Sequence, residues 1–122
     1  MLHNSVEVEC DVREIPGNLD ENVSLSLYRT AQESLRNVAK HSHAQHAKVE
    51  LIGGEAEIRL RISDDGVGFL YDEAKRGQGL GLVSMQERLR LVGGQFSIWS
   101  RASFGTRVEA VVPTRVKLAQ SA

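Results

Sequence analysis

An α+β two-layer sandwich, with helices on one face of a mixed, mostly antiparallel sheet, is the fold this sequence predicts. Five short segments alternate apolar and polar residues with the period of two that a half-buried strand requires. Two longer segments repeat apolar residues at three- and four-residue steps, the spacing of an amphipathic helix. Two helices cannot cover both faces of a five-stranded sheet, so one face is left to solvent. The chain has 122 residues, which suits a single domain with one core.

Residues 6–13, Val-Glu-Val-Glu-Cys-Asp-Val-Arg, form the first alternating segment. Ile15-Pro16-Gly17-Asn18 is a turn, because proline fixes φ and glycine permits positive φ. A helix is expected from about Asp20 to His41, with Leu27, Tyr28, Ala31, Leu35 and Val38 as its apolar stripe. Ala47-Val49-Leu51 and Ile58-Leu60-Ile62 flank Gly53-Gly54 as a hairpin. Periodicity then stops from Asp64 to Gly79, a length typical of lids and binding loops. A second helix is expected from about Leu80 to Val92, stopped by Gly93-Gly94, with Leu82, Met85, Leu89 and Val92 on one face. A second hairpin near 95–100 and 105–112 follows, and residues after Pro113 read as a polar tail.

Charge and composition exclude several functions. Fifteen Lys and Arg against 16 Asp and Glu leave a net charge of −1, with no basic footprint for nucleic acid and no polybasic membrane patch. A single cysteine, Cys10, allows neither an internal disulfide nor a thiolate zinc site and fits the cytoplasm. No apolar run is long enough to cross a membrane. His41, His43 and His46 straddle a helix end without metal-ligand spacing.

Three segments carry chemistry. On the first helix Glu33, Asn37, Lys40 and His41 occupy one sector, roughly opposite Leu35 and Val38. Such a set is commonly a solvated face. It also offers two oxygen ligands of the kind Mg²⁺ prefers and an ammonium for a phosphate. Asp64-Asp65-Gly66-Val67-Gly68-Phe69 ends a strand. Read alone it is a tight-turn signal, or a carboxylate for an exocyclic amine beside glycines that admit a flat ligand. Gly77-Gln78-Gly79-Leu80-Gly81-Leu82 feeds a helix N-terminus, which is either a linker or an anion site. Its spacing matches neither a dinucleotide fingerprint nor a P-loop.

Taken in order, these blocks resemble a known family. Tyr28 to His41, with its Y-R-x-x-Q-E and K-H elements, resembles the N box of the histidine-kinase ATP-binding domain. Asp64 to Phe69 resembles its G1 box and Gly77 to Leu82 its G2 box, with Met85-Gln86-Glu87-Arg88, Val92-Gly93-Gly94 and Phe104-Gly105-Thr106 extending the likeness. The pattern is most similar to two-component sensors related to nitrate and membrane-fluidity kinases, over about residues 4–113 of one domain spanning 1–122. The resemblance implies the GHKL, or Bergerat, fold with ATP and Mg²⁺. Asp64 would read the adenine amine, helped by Thr106. Asn37 and Glu33 would hold Mg²⁺, Lys40 would reach the phosphates, and His41 would lie near the nucleoside. Gly66 and Gly68 would line the pocket, Gly77, Gly79, Leu80, Gly81 and Leu82 would frame the phosphates, and 69–78 would be the lid.

The family's phosphoacceptor histidine belongs to a dimerisation helix that none of these segments resembles. The resemblance therefore implies a catalytic fragment, cytoplasmic even if its parent is membrane-anchored. It would transfer the γ-phosphoryl to a histidine on the separate dimerisation domain, for relay to a response regulator, with no nucleic acid and no membrane contact of its own. The rival is a stand-alone GHKL ATPase or an anti-sigma-factor-type serine kinase, in which Glu33 would activate water or a hydroxyl.

Overall fold

β1 (Glu7–Arg13), α1 (Glu21–Asn37), β2 (His46–Gly53), β3 (Glu57–Asp64), α2 (Leu82–Leu91), β4 (Gln95–Arg101) and β5 (Gly105–Pro113) follow one another along the chain. A π-helical turn over Val38–Ser42 prolongs α1. The computed structural model describes residues 6–68, 81–101 and 103–114, with 41 and 42 as backbone alone. One sheet of order β1-β2-β3-β5-β4 holds all five strands. β1 runs parallel to β2 and the other three pairings are antiparallel. The sheet is thus mixed and mostly antiparallel, as expected.

Alternation decides which side chains meet the helices. Ile58, Leu60 and Ile62 of β3 and Val108, Ala110 and Val112 of β5 are all buried. Val23 and Leu27 of α1, Leu89 of α2 and Val92 beyond it pack on this layer, while Leu82 and Met85 cover Phe96 and Ile98 of β4. Each fully buried side chain of this size contributes roughly 1.5–3 kcal/mol. The four apolar residues expected on one face of the second helix, Leu82, Met85, Leu89 and Val92, are all buried. Asp20 caps α1 by accepting the N–H groups of Asn22 (2.8 Å) and Val23 (3.3 Å). The N–H of Gly94 closes the end of α2 on the Leu89 carbonyl at 2.8 Å.

Two expectations need correction. Tyr28 is 61% exposed and takes no part in the core, whereas Ser26, Thr30 and Ser34 are buried. The buried arc of α1 is centred on Thr30, and these small hydroxyls let the helix lie close. Thr30 Oγ1 donates to the Ser26 carbonyl at 2.8 Å, and Ser34 Oγ to the Met85 sulfur at 3.5 Å, so neither hydroxyl is stranded. The second difference is the π turn, which breaks the α-helical register assumed through His41.

The end of β3 is tied to its surroundings from both sides. On one side Gly105, at φ +100°, lies so close to the Asp64 carbonyl that any Cβ would overlap it. On the other, Asp65 Oδ1 accepts the N–H groups of Gln45 (3.0 Å) and His46 (2.9 Å), and its Oδ2 meets the His46 ring at 2.8 Å. The backbone N–H of His46 and then the His46 side chain draw the Asp65 pKa down to about 2. The hydrogen bond to Asp65 and its charge raise that of His46.

Two predictions follow from these ties. Gly105→Ala should cost about 2–3 kcal/mol, a melting temperature lower by roughly 10 °C, because the added Cβ forces backbone to move. Gly17→Ala, which has nothing within 4 Å, should melt with the wild type. Asp65→Asn should separate from the wild type in a pH-dependent way. The lowered Asp65 pKa adds stability above its unfolded value of 3.8, and that is lost as pH falls through about 2. The raised His46 pKa adds stability below 6.5, and that is lost as pH rises through the folded value. The gap in melting temperature should therefore be widest between about pH 4 and 6.5.

Candidate functional site

The end of α1 and the end of β3 meet at one end of the sheet. Val38, directly after Asn37, packs with Ala44 and Ala47. Ala47 is the β2 residue opposite Asp64. α1 lies across β3 and β5, so the helix carrying Glu33 and Asn37 covers the strands carrying Asp64 and Thr106.

Asp64 and Thr106 are brought together as direct partners in the β3–β5 ladder. The Asp64 carboxylate is partly buried and accepts the Gly66 N–H at 2.8 Å. Burial raises its pKa, against the backbone N–H bonds of Gly66 and Thr106, which lower it. A carboxylate deprived of water in this way is better solvated by an incoming N–H donor than by its own surroundings. Thr106 Oγ1 shares a 3.0 Å hydrogen bond with Ser100 Oγ, which fixes its hydroxyl. Gly66 is buried, and Gly68 (φ +69°) lies against the Arg101 carbonyl. The Ser103 N–H to Val67 carbonyl bond, at 2.6 Å, adds to this contact with the β4–β5 turn.

Glu33 and Asn37 flank the buried arc of α1 instead of lying on a solvated face. Glu33 is 27% exposed at its side chain, and its Oε2 takes a 3.4 Å contact from Arg36. The Asn37 amide oxygen is sealed from solvent. Across from them Gly81 begins α2 in the left-handed conformation, φ +67°. A Cβ on Gly81 would come within 2.8 Å of Glu33 Oε2, so glycine here lets the carboxylate approach the α2 N-terminus. That end carries N–H groups aimed outward and attracts negative charge. The Leu82 side chain is buried with Met85, Phe96 and Ile98, so only its main chain can face this end of α2. Lys40 is exposed in the π turn and forms no ion pair among the described residues. His41 lies in the same turn, and its side chain, like Gly77, Gly79, Leu80 and the rest of 69–78, falls outside the described residues.

Among the described residues no three His, Cys, Asp or Glu side chains converge as a metal cluster. Glu33 and Asn37 supply two hard oxygen groups, which suits an ion that keeps most of its own water. Sequence reasoning missed Asp65 and Ser100. Asp65 carries no signal of its own beside Asp64, because Gln45 and His46 reach it only in the fold. Ser100 gives no signal until the β4–β5 register places it opposite Thr106.

Comparison with known proteins gives this geometry its family. Residues 22–116 match the family described as histidine kinase-, DNA gyrase B-, and HSP90-like ATPase. The sensor protein VraS of Staphylococcus epidermidis is 38% identical over 100 residues, 82% of this chain and 27% of that protein. The sensor histidine kinase LiaS of Bacillus subtilis is 34% identical over 108 residues, 88% of this chain and 29% of that one. The chain thus spans little more than a quarter of the length of these curated relatives. The mycobacterial sensor histidine kinase MprB superposes with a TM-score of 0.67 at 25% identity, over 92% of this chain and 84% of that structure. The histidine kinase domain of the Erythrobacter litoralis EL346 blue-light activated kinase shares the fold, with a TM-score of 0.67 at 18% identity over 88% of this chain and 55% of that one. No helix among the described residues is long and apolar enough to cross a membrane. The nucleotide of this fold is ATP, and the chain belongs to the histidine kinase-, DNA gyrase B- and HSP90-like ATPase family.

Proposed function

We propose that this chain is the ATP-binding catalytic domain of a two-component sensor histidine kinase, working on a dimerisation and phosphoacceptor domain of the same kinase and through it on a response regulator. The observation that carries nucleotide binding is the partly buried, pKa-raised Asp64 carboxylate opposite Thr106. Similarity to sensor kinases across most of the chain supports a histidine acceptor over a hydroxyl or water. The parent is then a longer protein, and this domain acts on its cytoplasmic side.

In this reading Asp64 accepts the exocyclic N–H of adenine, and Thr106 holds the neighbouring edge of the base directly or through water. Gly66 and Gly68 keep the wall of the pocket free of side chains. Lys40 reaches the phosphates from the π turn, with His41 beside the nucleoside, while Gly77, Gly79, Leu80, Gly81 and Leu82 frame the phosphates. Mg²⁺ fits the oxygen groups of Asn37 and Glu33 and supplies neutralisation of phosphate charge when bound. Transfer breaks the bond between the γ-phosphorus and the β,γ-bridging oxygen and forms a phosphorus–nitrogen bond to the imidazole. The imidazole brings its own lone pair, so the chain's task is positioning and charge stabilisation.

Asp64→Asn should weaken ADP binding in calorimetry by about tenfold to a hundredfold, the loss of one hydrogen bond to a charged acceptor. Because burial raises the Asp64 pKa, wild-type affinity should also fall on acidification sooner than for an ordinary carboxylate, and the Asn variant should not show that fall. Equal affinity of the two proteins rejects the adenine assignment. A second test addresses the acceptor. The chain with radiolabelled ATP alone should remain unlabelled, and a dimerisation fragment from the parent kinase should acquire acid-labile, base-stable label. Acid-stable label on an added protein would instead make the domain a serine kinase.

A further inference from the structure

The helices and the nucleotide residues occupy one face of the sheet, and the opposite face has no assigned role. β1 and β2 bring Glu7, Glu9, Asp11 and Glu50 to one end of the face together with Arg13, His46 and Lys48, where Asp11 pairs with Arg13 at 2.9 Å and Glu50 with Lys48 at 3.8 Å. β3, β5 and β4 bring arginines to the other, with Arg107 directly opposite Trp99 and Arg61 opposite Glu109. Glu109 is already occupied, since Arg61 donates to its Oε2 from Nη2 at 2.8 Å and from Nε at 3.1 Å. Arg107 and Arg101 pair with no carboxylate among the described residues.

Apolar surface accompanies this charge. Trp99 is 51% exposed and Phe104 62% exposed, and the Arg101 guanidinium stacks 4.4 Å from the centre of the Phe104 ring. A hollow of about 330 Å³ runs between Trp99, Arg107, Arg61 and Glu109. Exposed tryptophan and arginine side by side are the residue types that dominate binding energy at protein interfaces. We propose that this end of the helix-free face is a docking surface for an acidic segment of a partner protein, with an apolar residue of that segment against Trp99 and Phe104 and its carboxylates on Arg107 and Arg101.

Charge complementarity selects the occupant. Arginine forks receive carboxylates in bidentate geometry, and Arg107 and Arg101, which pair with no carboxylate among the described residues, would repel a basic segment. A nucleic acid is disfavoured, because two arginines replace few counterions. The proposal stands apart from the nucleotide reading, since none of these side chains belongs to that site.

Trp99 is the only tryptophan in the chain, so its fluorescence reports the surface directly. The probe is a synthetic peptide of aspartate and glutamate around a central leucine, titrated at low ionic strength. A saturable blue shift of Trp99 emission that weakens with added salt is expected. With dye-labelled peptide, anisotropy should show Arg107→Glu and Trp99→Ala each losing about tenfold or more in affinity, while ADP binding by calorimetry stays at the wild-type value. No emission change, or equal binding of the lysine version of the peptide, overturns the proposal. Undiminished binding by folded Arg107→Glu does the same. Tighter binding of a single-stranded oligonucleotide of equal charge would assign the surface to nucleic acid, and self-association lost in Arg107→Glu would assign it to a second copy of the chain; either overturns it as well.

Discussion

The pairing of Asp64 with Thr106 across β3 and β5 fixes these two side chains of the candidate site relative to one another. Because it is a rung of a regular ladder, its geometry is held by main-chain hydrogen bonds on both strands and does not depend on a loop. Close approach of Gly105 to the Asp64 carbonyl locks that rung against the β4–β5 turn. The next residue, Asp65, is turned to the start of β2. Two consecutive carboxylates thus face different electrostatic surroundings. Burial disfavours the charge on Asp64, while N–H donors favour it on Asp65.

A second dependence links the two helices. Glu33 approaches the N-terminus of α2 only because Gly81 has no side chain, and Ser34 meets the Met85 sulfur one residue further along. The carboxylate is therefore tied to the position of α2. Arg36, touching the same Glu33 oxygen, moderates its charge from the solvent side. Moving α2 relative to α1 would disturb the buried contact and the acidic group together.

Most of the fold was legible because period and punctuation agreed. The two hairpins, the Gly93-Gly94 stop and the buried face of α2 all rest on local chemistry that a sequence displays. What escaped depends on tertiary placement. Tyr28 fits the three- and four-residue steps of the stripe but lies on the far side of α1 from Thr30, which is the centre of the buried arc. The π turn costs one helical register and leaves no compositional mark. Asp64, Thr106, Glu33 and Asn37 were legible as a set through motif order, and their ladder and helix contacts bring them to one end of the sheet. Ser100 and Asp65 were not, because their partners are set by strand pairing between distant segments.

The entry into β1 adds a mechanical consequence. Val6 is partly buried against the group formed by Val38, Ala44 and Ala47, immediately before the parallel edge strand begins at Glu7. Val38 adjoins Asn37 in the chain, and Ala47 faces Asp64 across the sheet. Since packed interiors transmit strain, a displacement of the backbone at Val6 would load this contact first. That contact lies where the end of the helix carrying Asn37 meets the strand paired with Asp64.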